Sequence, residues 1–238
     1  MRICHVSDTH WTTDSYPAAD LYVFTGDHLR NYPVKQVFGW GTDWAIDPKI
    51  ERVKQKLAMA EFAKLVGMRQ FFGSPDAPIV CVRGNHDFVP IAPLFEGCNL
   101  VHEFVDNEVV SVAGLSITGH RGVPWIGGDR PGCWNDEVAR VDLIERFKHM
   151  DLSCDVFLTH YAPDGLQLSG DYGLEEAANW LMYQRDDERA FLHCFGHIHE
   201  AGGHVLTPDG RSLFSNAATT WNLIEGSPEI GWKRIDAA

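Results

Sequence analysis

Five short groups of residues suited to binding divalent cations are spread along the chain: Asp8-Thr9-His10, Gly26-Asp27, Gly84-Asn85-His86-Asp87, Thr159-His160 and Gly196-His197-Ile198-His199. Together they offer carboxylate oxygen, amide oxygen and imidazole nitrogen, a donor set that hard and borderline metal ions accept. Asp8 and His10 are two residues apart, so in extended backbone both project to the same side. His197 and His199 repeat that geometry with two imidazoles, and Gly196 lets the backbone turn tightly before them. Gly84-Asn85-His86-Asp87 is the most diagnostic group, because it sets an amide, an imidazole and a carboxylate in succession. A lone Asn there would be a turn residue, and a lone Asp-x-His arises by chance. The five groups taken together point to a pair of cations in one crevice.

Each group follows a segment that reads as a strand, which is how residues far apart in the chain can be aimed at one place. Residues 2–7 and 21–24 are short apolar runs that open into the first two groups, and 77–82 is an unbroken apolar run ahead of the third. Between them, Asp47-Pro48 starts a helix on which Ile50, Val53, Leu57 and Ala60 recur at helical spacing until Gly67. Strands at 100–105, 108–112 and 115–118, separated by turn residues, suit an antiparallel edge or a second sheet. Asn135 is placed to cap a helix carrying Val138, Val141, Ile144 and Phe147. A strand at 155–159, a helix near 174–183 and strands at 191–195, 204–206 and 212–215 follow. This alternation predicts an α/β protein with two packed sheets and helices outside. The segment 31–44 breaks the pattern. It carries Tyr32, Phe38, Trp40 and Trp44 among glycines and polar residues, and reads as an irregular loop, either a lid or substrate wall or a loop pinned by its aromatics.

The chain of 238 residues, 45% hydrophobic, suits one domain over 1–238 with an aromatic-rich insertion at about 31–47. Its formal charge of −13 disfavours nonspecific attraction to a duplex phosphate backbone and favours a small substrate as partner. Cysteines at 4, 81, 98, 133, 154 and 194 form no Cys-x-x-Cys pair, and most fall in apolar runs, so they read as reduced core residues in a reducing compartment. No apolar run approaches the ~18 residues of a membrane span, and the first ligand group begins too early for a cleavable leader. A cytoplasmic, soluble protein with no membrane partner is therefore expected.

In these motifs the chain resembles the calcineurin-like metallophosphoesterases, whose pattern is Asp-x-His, Gly-Asp, Gly-Asn-His-Asp/Glu, a lone His and Gly-His-x-His. The match spans residues 8 to 199. Val6-Ser7-Asp8-Thr9-His10, Pro124-Trp125 and the tail from Phe195 through Ser215-Asn216-Ala217 look like the branch that includes the metallophosphoesterase-domain proteins of animal brain and bacterial cyclic-nucleotide phosphodiesterases. The resemblance implies a four-layer sandwich of two mixed β-sheets flanked by helices. It also implies that Asp8, His10 and His199 hold one divalent metal ion, that Asn85, His160 and His197 hold a second, and that Asp27 bridges both. Manganese is the first choice, with iron, zinc, cobalt and nickel also suited to mixed nitrogen and oxygen ligands. The implied activity is phosphodiester hydrolysis by a metal-bridging hydroxide, on cyclic nucleotides or similar small compounds. His86, not needed as a ligand, is the implied catalytic proton donor, and Asp87 either orients its ring or serves as a turn carboxylate. A phosphomonoesterase acting on a nucleotide, sugar phosphate or phosphoprotein is an alternative, as is a noncatalytic scaffold of the same fold.

The chain departs from the family pattern after Gly26-Asp27, where His28-Leu29-Arg30 follows, and in the long stretch between Asp27 and Asn85. Substrate preference does not transfer across that stretch. His5, His102, His120, His149, His193 and His204 read as solvated or internally satisfied, and Arg121 as a candidate phosphate contact.

Overall fold

A computed structural model describes residues 1–11, 14–32, 34–38, 41–125, 134–164, 166, 168, 173–183 and 188–235, with the side chains of 34–38 and 41–45 outside that description. Two six-stranded sheets lie at its centre. The first runs, edge to edge, Gly231–Ile235, Thr220–Ser227, Arg2–Ser7, Leu21–Thr25, Ile79–Val82 and Leu100–Phe104, with Arg2–Ser7 onward parallel. The second runs Gly203–Leu206, Leu213–Asn216, Leu192–Phe195, Val156–Leu158, Leu115–His120 and Asp106–Val112, with parallel pairing in its middle and antiparallel edges.

Strand alternation divides the core into three layers. Ile3, Val23, Val80 and Val82 face Val156, Leu158, Leu192 and Cys194 between the sheets. Cys4, Val6, Tyr22 and Phe24 point outward from the first sheet against Met59, Phe72, Leu94 and Phe95. Phe157, Phe195 and Phe214 point outward from the second sheet against Leu143, Phe147, Ala177 and Leu181. Those last residues belong to helices α2 (Arg140–Lys148) and α3 (Glu175–Tyr183), while helix α1 (Pro48–Leu65) covers the other side. Two mixed sheets flanked by helices are thus observed, as the sequence predicts.

Several elements differ from expectation. Helix α1 begins where predicted, with Asp47 accepting from the Lys49 and Ile50 amides, but it is turned over. Val53 and Leu57 are exposed, and the buried residues are Glu51, Gln55 and Met59. The reason is local: the loops beneath α1 carry backbone groups with no strand partner, and polar side chains must satisfy them. Gln55 Nε2 donates to the His86 carbonyl at 2.7 Å, Gln55 Oε1 accepts from the Phe88 amide at 2.8 Å, and Glu51 accepts from the Tyr32 amide at 2.7 Å.

The segment expected to be irregular contains an antiparallel hairpin, Val34–Phe38 with Gly41–Ala45. Trp40 and the side chains of Phe38 and Trp44 lie outside the described residues. Asn135 does not cap α2, whose N-cap is Ala139; Val138 instead pairs with Pro124, and Val141 is exposed. The strands Thr220–Ser227 and Gly231–Ile235 were not anticipated. Among the described residues Cys4, Cys81, Cys154 and Cys194 are buried, Cys98 is half-buried and all five are free thiols, whereas Cys133 lies outside them. No helix among the described residues is long and apolar enough to cross a membrane.

Candidate metal centre

The five groups converge where the parallel strands of both sheets end. Asp8 and His10 follow Arg2–Ser7, Asp27 follows Leu21–Thr25, Asn85 and His86 follow Ile79–Val82, His160 follows Val156–Leu158, and His197 and His199 follow Leu192–Phe195. Asp8 (φ 52°), His10 (φ 43°), Asp27 (φ 57°) and His197 (φ 73°) all have left-handed backbone, which turns the chain sharply enough to aim these side chains inward. Each such residue costs about 1–2 kcal/mol. Backbone bonds from the Asp8 amide to the Gly26 carbonyl at 2.9 Å and from the His10 amide to the Asp27 carbonyl at 3.0 Å tie the strained loops together. Strained backbone of this kind persists where the surroundings over-determine it.

Two groups of ligand atoms result. The potential ligand atoms of Asp8, His10 and His199 lie within 4.8 Å of one another, as do those of Asp27, His160 and His197. In the first group His199 Nε2 is 3.2 Å from Asp8 Oδ1 and 3.4 Å from His10 Nε2. In the second, His160 Nε2 is 3.1 Å from Asp27 Oδ2 and 3.2 Å from Asn85 Oδ1, placing the Asn85 amide beside that group. All seven side chains assigned to metal in the sequence are therefore brought into this crevice.

The neighbours of these groups fix their orientation. Ser7 Oγ donates to Asp8 Oδ2 at 2.6 Å and the His197 amide donates to the same oxygen at 3.0 Å, so Oδ1 is the oxygen turned toward the imidazoles. The His86 amide donates to Asp27 Oδ1 at 2.7 Å, and His160 Nδ1 donates to the Thr25 carbonyl at 2.6 Å. The second bond directs His160 Nε2 at the site. Glycines permit the close approach: a Cβ on Gly84 would land on the Asp27 carboxylate and lie 2.6 Å from the Asp27 backbone nitrogen, and one on Gly196 would strike Ser7 and Asp8.

The buried carboxylates and imidazoles shift one another's protonation. Burial acts to raise the Asp27 pKa, but His160, His86 and His10 outweigh it and hold the carboxyl well below the usual carboxylate range. Burial likewise opposes charge on His160, yet Asp27, Asp8 and the Thr25 carbonyl raise its pKa to about 10. Burial, aided by His160, lowers His197 to about 4, while the bond to Asp8 raises His199. His160 is thus the imidazole whose surroundings most favour a proton beside the two buried carboxylates. Divalent cations suit the same donors, and the residues present fit the metal pair that the sequence implies.

His86 lies at the edge of the second group, with Nε2 3.8 Å from Asp27 Oδ2, and burial pushes its pKa down. Asp87 does not orient its ring. The Asp87 carboxylate is fully buried and accepts four backbone amides, those of Asp27, His28, Leu29 and Gly84, at 2.8–3.0 Å. Burial and the nearby Asp27 charge raise its pKa to about 7. It ties the second and third motifs together, which corrects the catalytic assignment in favour of the turn-carboxylate alternative. The contact to His86 Nδ1 comes instead from Asn31 Oδ1, and the Trp134 ring lies 4.1 Å from the imidazole. Neither residue was singled out in the sequence as a site residue, although Asn31 follows Asp27 by four positions.

Other histidines are absorbed structurally. His28 is buried against Phe24 and accepts the Gly26 amide at 3.2 Å. His5 spans the two sheets, bonded to Ser215 and Thr25 at 2.8 Å each. Arg121 pairs with Asp136 at 3.7 Å.

Comparison with known proteins agrees with this geometry. The family model for calcineurin-like phosphoesterases matches residues 1–201. Metallophosphoesterase domain-containing protein 1 from Homo sapiens and its Mus musculus counterpart are each 27% identical over 247 residues, covering 96% of this chain and 69% of the relative. A crystal structure of TT1561 from Thermus thermophilus aligns with a TM-score of 0.53 and 13% identity, covering 99% of this chain and 98% of that one, a likeness of fold. The chain belongs to the calcineurin-like phosphoesterase family and is a metal-dependent phosphoester hydrolase.

Proposed function

We propose that the protein hydrolyses phosphodiesters of small molecules, cyclic nucleotides included, at a two-metal centre. The observation that carries this reading is the pairing of two ligand groups in one crevice with an imidazole, His86, at their edge. Asp8, His10 and His199 would hold one ion, Asn85, His160 and His197 the other, and Asp27 both. Two divalent cations, manganese in the first instance, supply Lewis-acid charge on the phosphoryl oxygens and a hydroxide nucleophile at neutral pH. The chain's own contribution is to hold these donors in fixed geometry and to deliver a proton from His86 Nε2 to the departing ester oxygen. In balance, a water oxygen bonds to phosphorus, the ester P–O bond breaks, the His86 proton goes to the leaving alcohol, and the proton lost by water restores His86 through solvent. The formal net charge of −13 supports a small substrate over a duplex.

Turnover of an aryl phosphodiester and the matching monoester, with and without added manganese, tests the reading. Metal-dependent cleavage of the diester in preference to the monoester is expected. Cleavage of the monoester alone would replace the proposal with a phosphatase, and failure to bind metal or cleave either ester would favour a scaffold.

A further inference from the structure

Helix α1 buries a polar face, and that face ends on His86. Asn31 Nδ2 donates to the His86 carbonyl at 3.3 Å and to Glu51 Oε2 at 3.4 Å. A carbonyl can only accept, so the NH2 end of the Asn31 amide is turned toward it and the oxygen is left to face His86 Nδ1. An amide oxygen cannot donate, so Nδ1 must carry a hydrogen, and Nε2 is the ring nitrogen left to face the crevice beside Asp27. The rest of the network holds this in place. Glu51 is fully buried and its other oxygen accepts the Tyr32 amide at 2.7 Å. Gln55, also buried, clamps the His86 carbonyl and the Phe88 amide. On the other side, Asn135 donates through its amide to the Asn85 carbonyl at 2.9 Å and through Nδ2 to the Asp87 carbonyl at 2.8 Å, setting Trp134 against the imidazole.

We infer that Asn31 is a positioning residue that fixes the His86 tautomer, and that Glu51 and Gln55 of α1 hold the two in register, so that a neutral amide does the orienting and Nε2 faces the departing oxygen. This rests on the phosphoester-hydrolase reading for its consequence but not for its geometry. Asn31 touches no reacting atom; it acts through His86.

Two measurements test it. Nitrogen-15 histidine NMR of the 238-residue chain supplied with zinc, with His86 assigned against His86→Gln, reads the tautomer directly. Nδ1–H is expected in the natural protein and its loss in Asn31→Ala; a natural protein whose His86 Nδ1 carries no hydrogen would overturn the inference, whether or not the variant folds. In kinetics with manganese, Asn31→Ala should lower kcat for methyl phenyl phosphate about tenfold more than for methyl 4-nitrophenyl phosphate, whose better leaving group needs less proton donation, with metal content unchanged. Equal losses on both esters, or a loss confined to KM, would also overturn it. A natural protein that cleaves neither ester would refute the hydrolase reading, leaving the tautomer to decide the role of Asn31.

Discussion

The two ligand groups differ in how they are enclosed. Asp27, Asn85 and His160 are buried, and His160 and Asp27 are each held by a further bond, to the Thr25 carbonyl and from the His86 amide. In the other group only Asp8 is deeply buried; His10 is half-buried and the His199 side chain is 41% exposed. A ligand whose second bond is fixed loses little freedom on binding metal, whereas an exposed imidazole must be ordered at that moment. The deep group should therefore hold its ion more tightly, and the open group should exchange its ion with solvent and present the face that substrate reaches.

Changes at shared positions should produce the largest effects. Asp27→Asn removes the charge proposed to serve both ions, so metal content should fall at both and turnover should be lost almost entirely; full retention of one ion, measured by elemental analysis, would break the bridging assignment. His86→Ala should cost roughly 10²–10⁴-fold in kcat while both ions remain, because His86 borders the deep group without being one of its ligands. Equal metal loss in this variant and in Asp27→Asn would erase that distinction.

The comparison itself is sharpened by His160→Ala and His199→Ala. Titration calorimetry should show His160→Ala losing the tighter of two binding phases and His199→Ala weakening the looser one. The reverse assignment would contradict the enclosure argument.

A smaller, pH-dependent effect follows from His160. Its pKa is raised from the ordinary 6.5 to about 10 in the folded, metal-free chain, so the folded state binds this proton more tightly than the unfolded state. That stabilisation is complete below about pH 6.5 and is lost as pH rises through about 10. Metal must displace the proton, so metal affinity should rise over the same range. Melting temperatures of the metal-free protein should fall between pH 7 and 10, and a flat profile would count against a protonated His160.

The side chains that converge in the crevice were legible in the sequence because each follows an apolar run that reads as a buried strand, and a strand end fixes where the next side chain points. The partners of those ligands were not. Asp87 sits beside His86 in the chain, yet its carboxylate turns into the backbone amides of a loop some sixty residues earlier, a contact that only the folding of two strand ends together creates. Helix α1 misled for a related reason: apolar spacing at Ile50, Val53 and Leu57 suggested a core face, but the loops it covers needed hydrogen bonds more than they needed apolar cover. The strand Thr220–Ser227 has a weak pattern in the sequence, because Asn222, Glu225 and Gly226 interrupt the apolar run that buries Leu223 and Ile224.

Anomalous diffraction from crystals of the 238-residue chain grown with manganese tests the two-ion account most directly. Two peaks about 3.5–4 Å apart are predicted, one among Asp27, Asn85, His160 and His197 and the other among Asp27, Asp8, His10 and His199. A single peak, or two peaks with Asp27 in contact with only one, would contradict it.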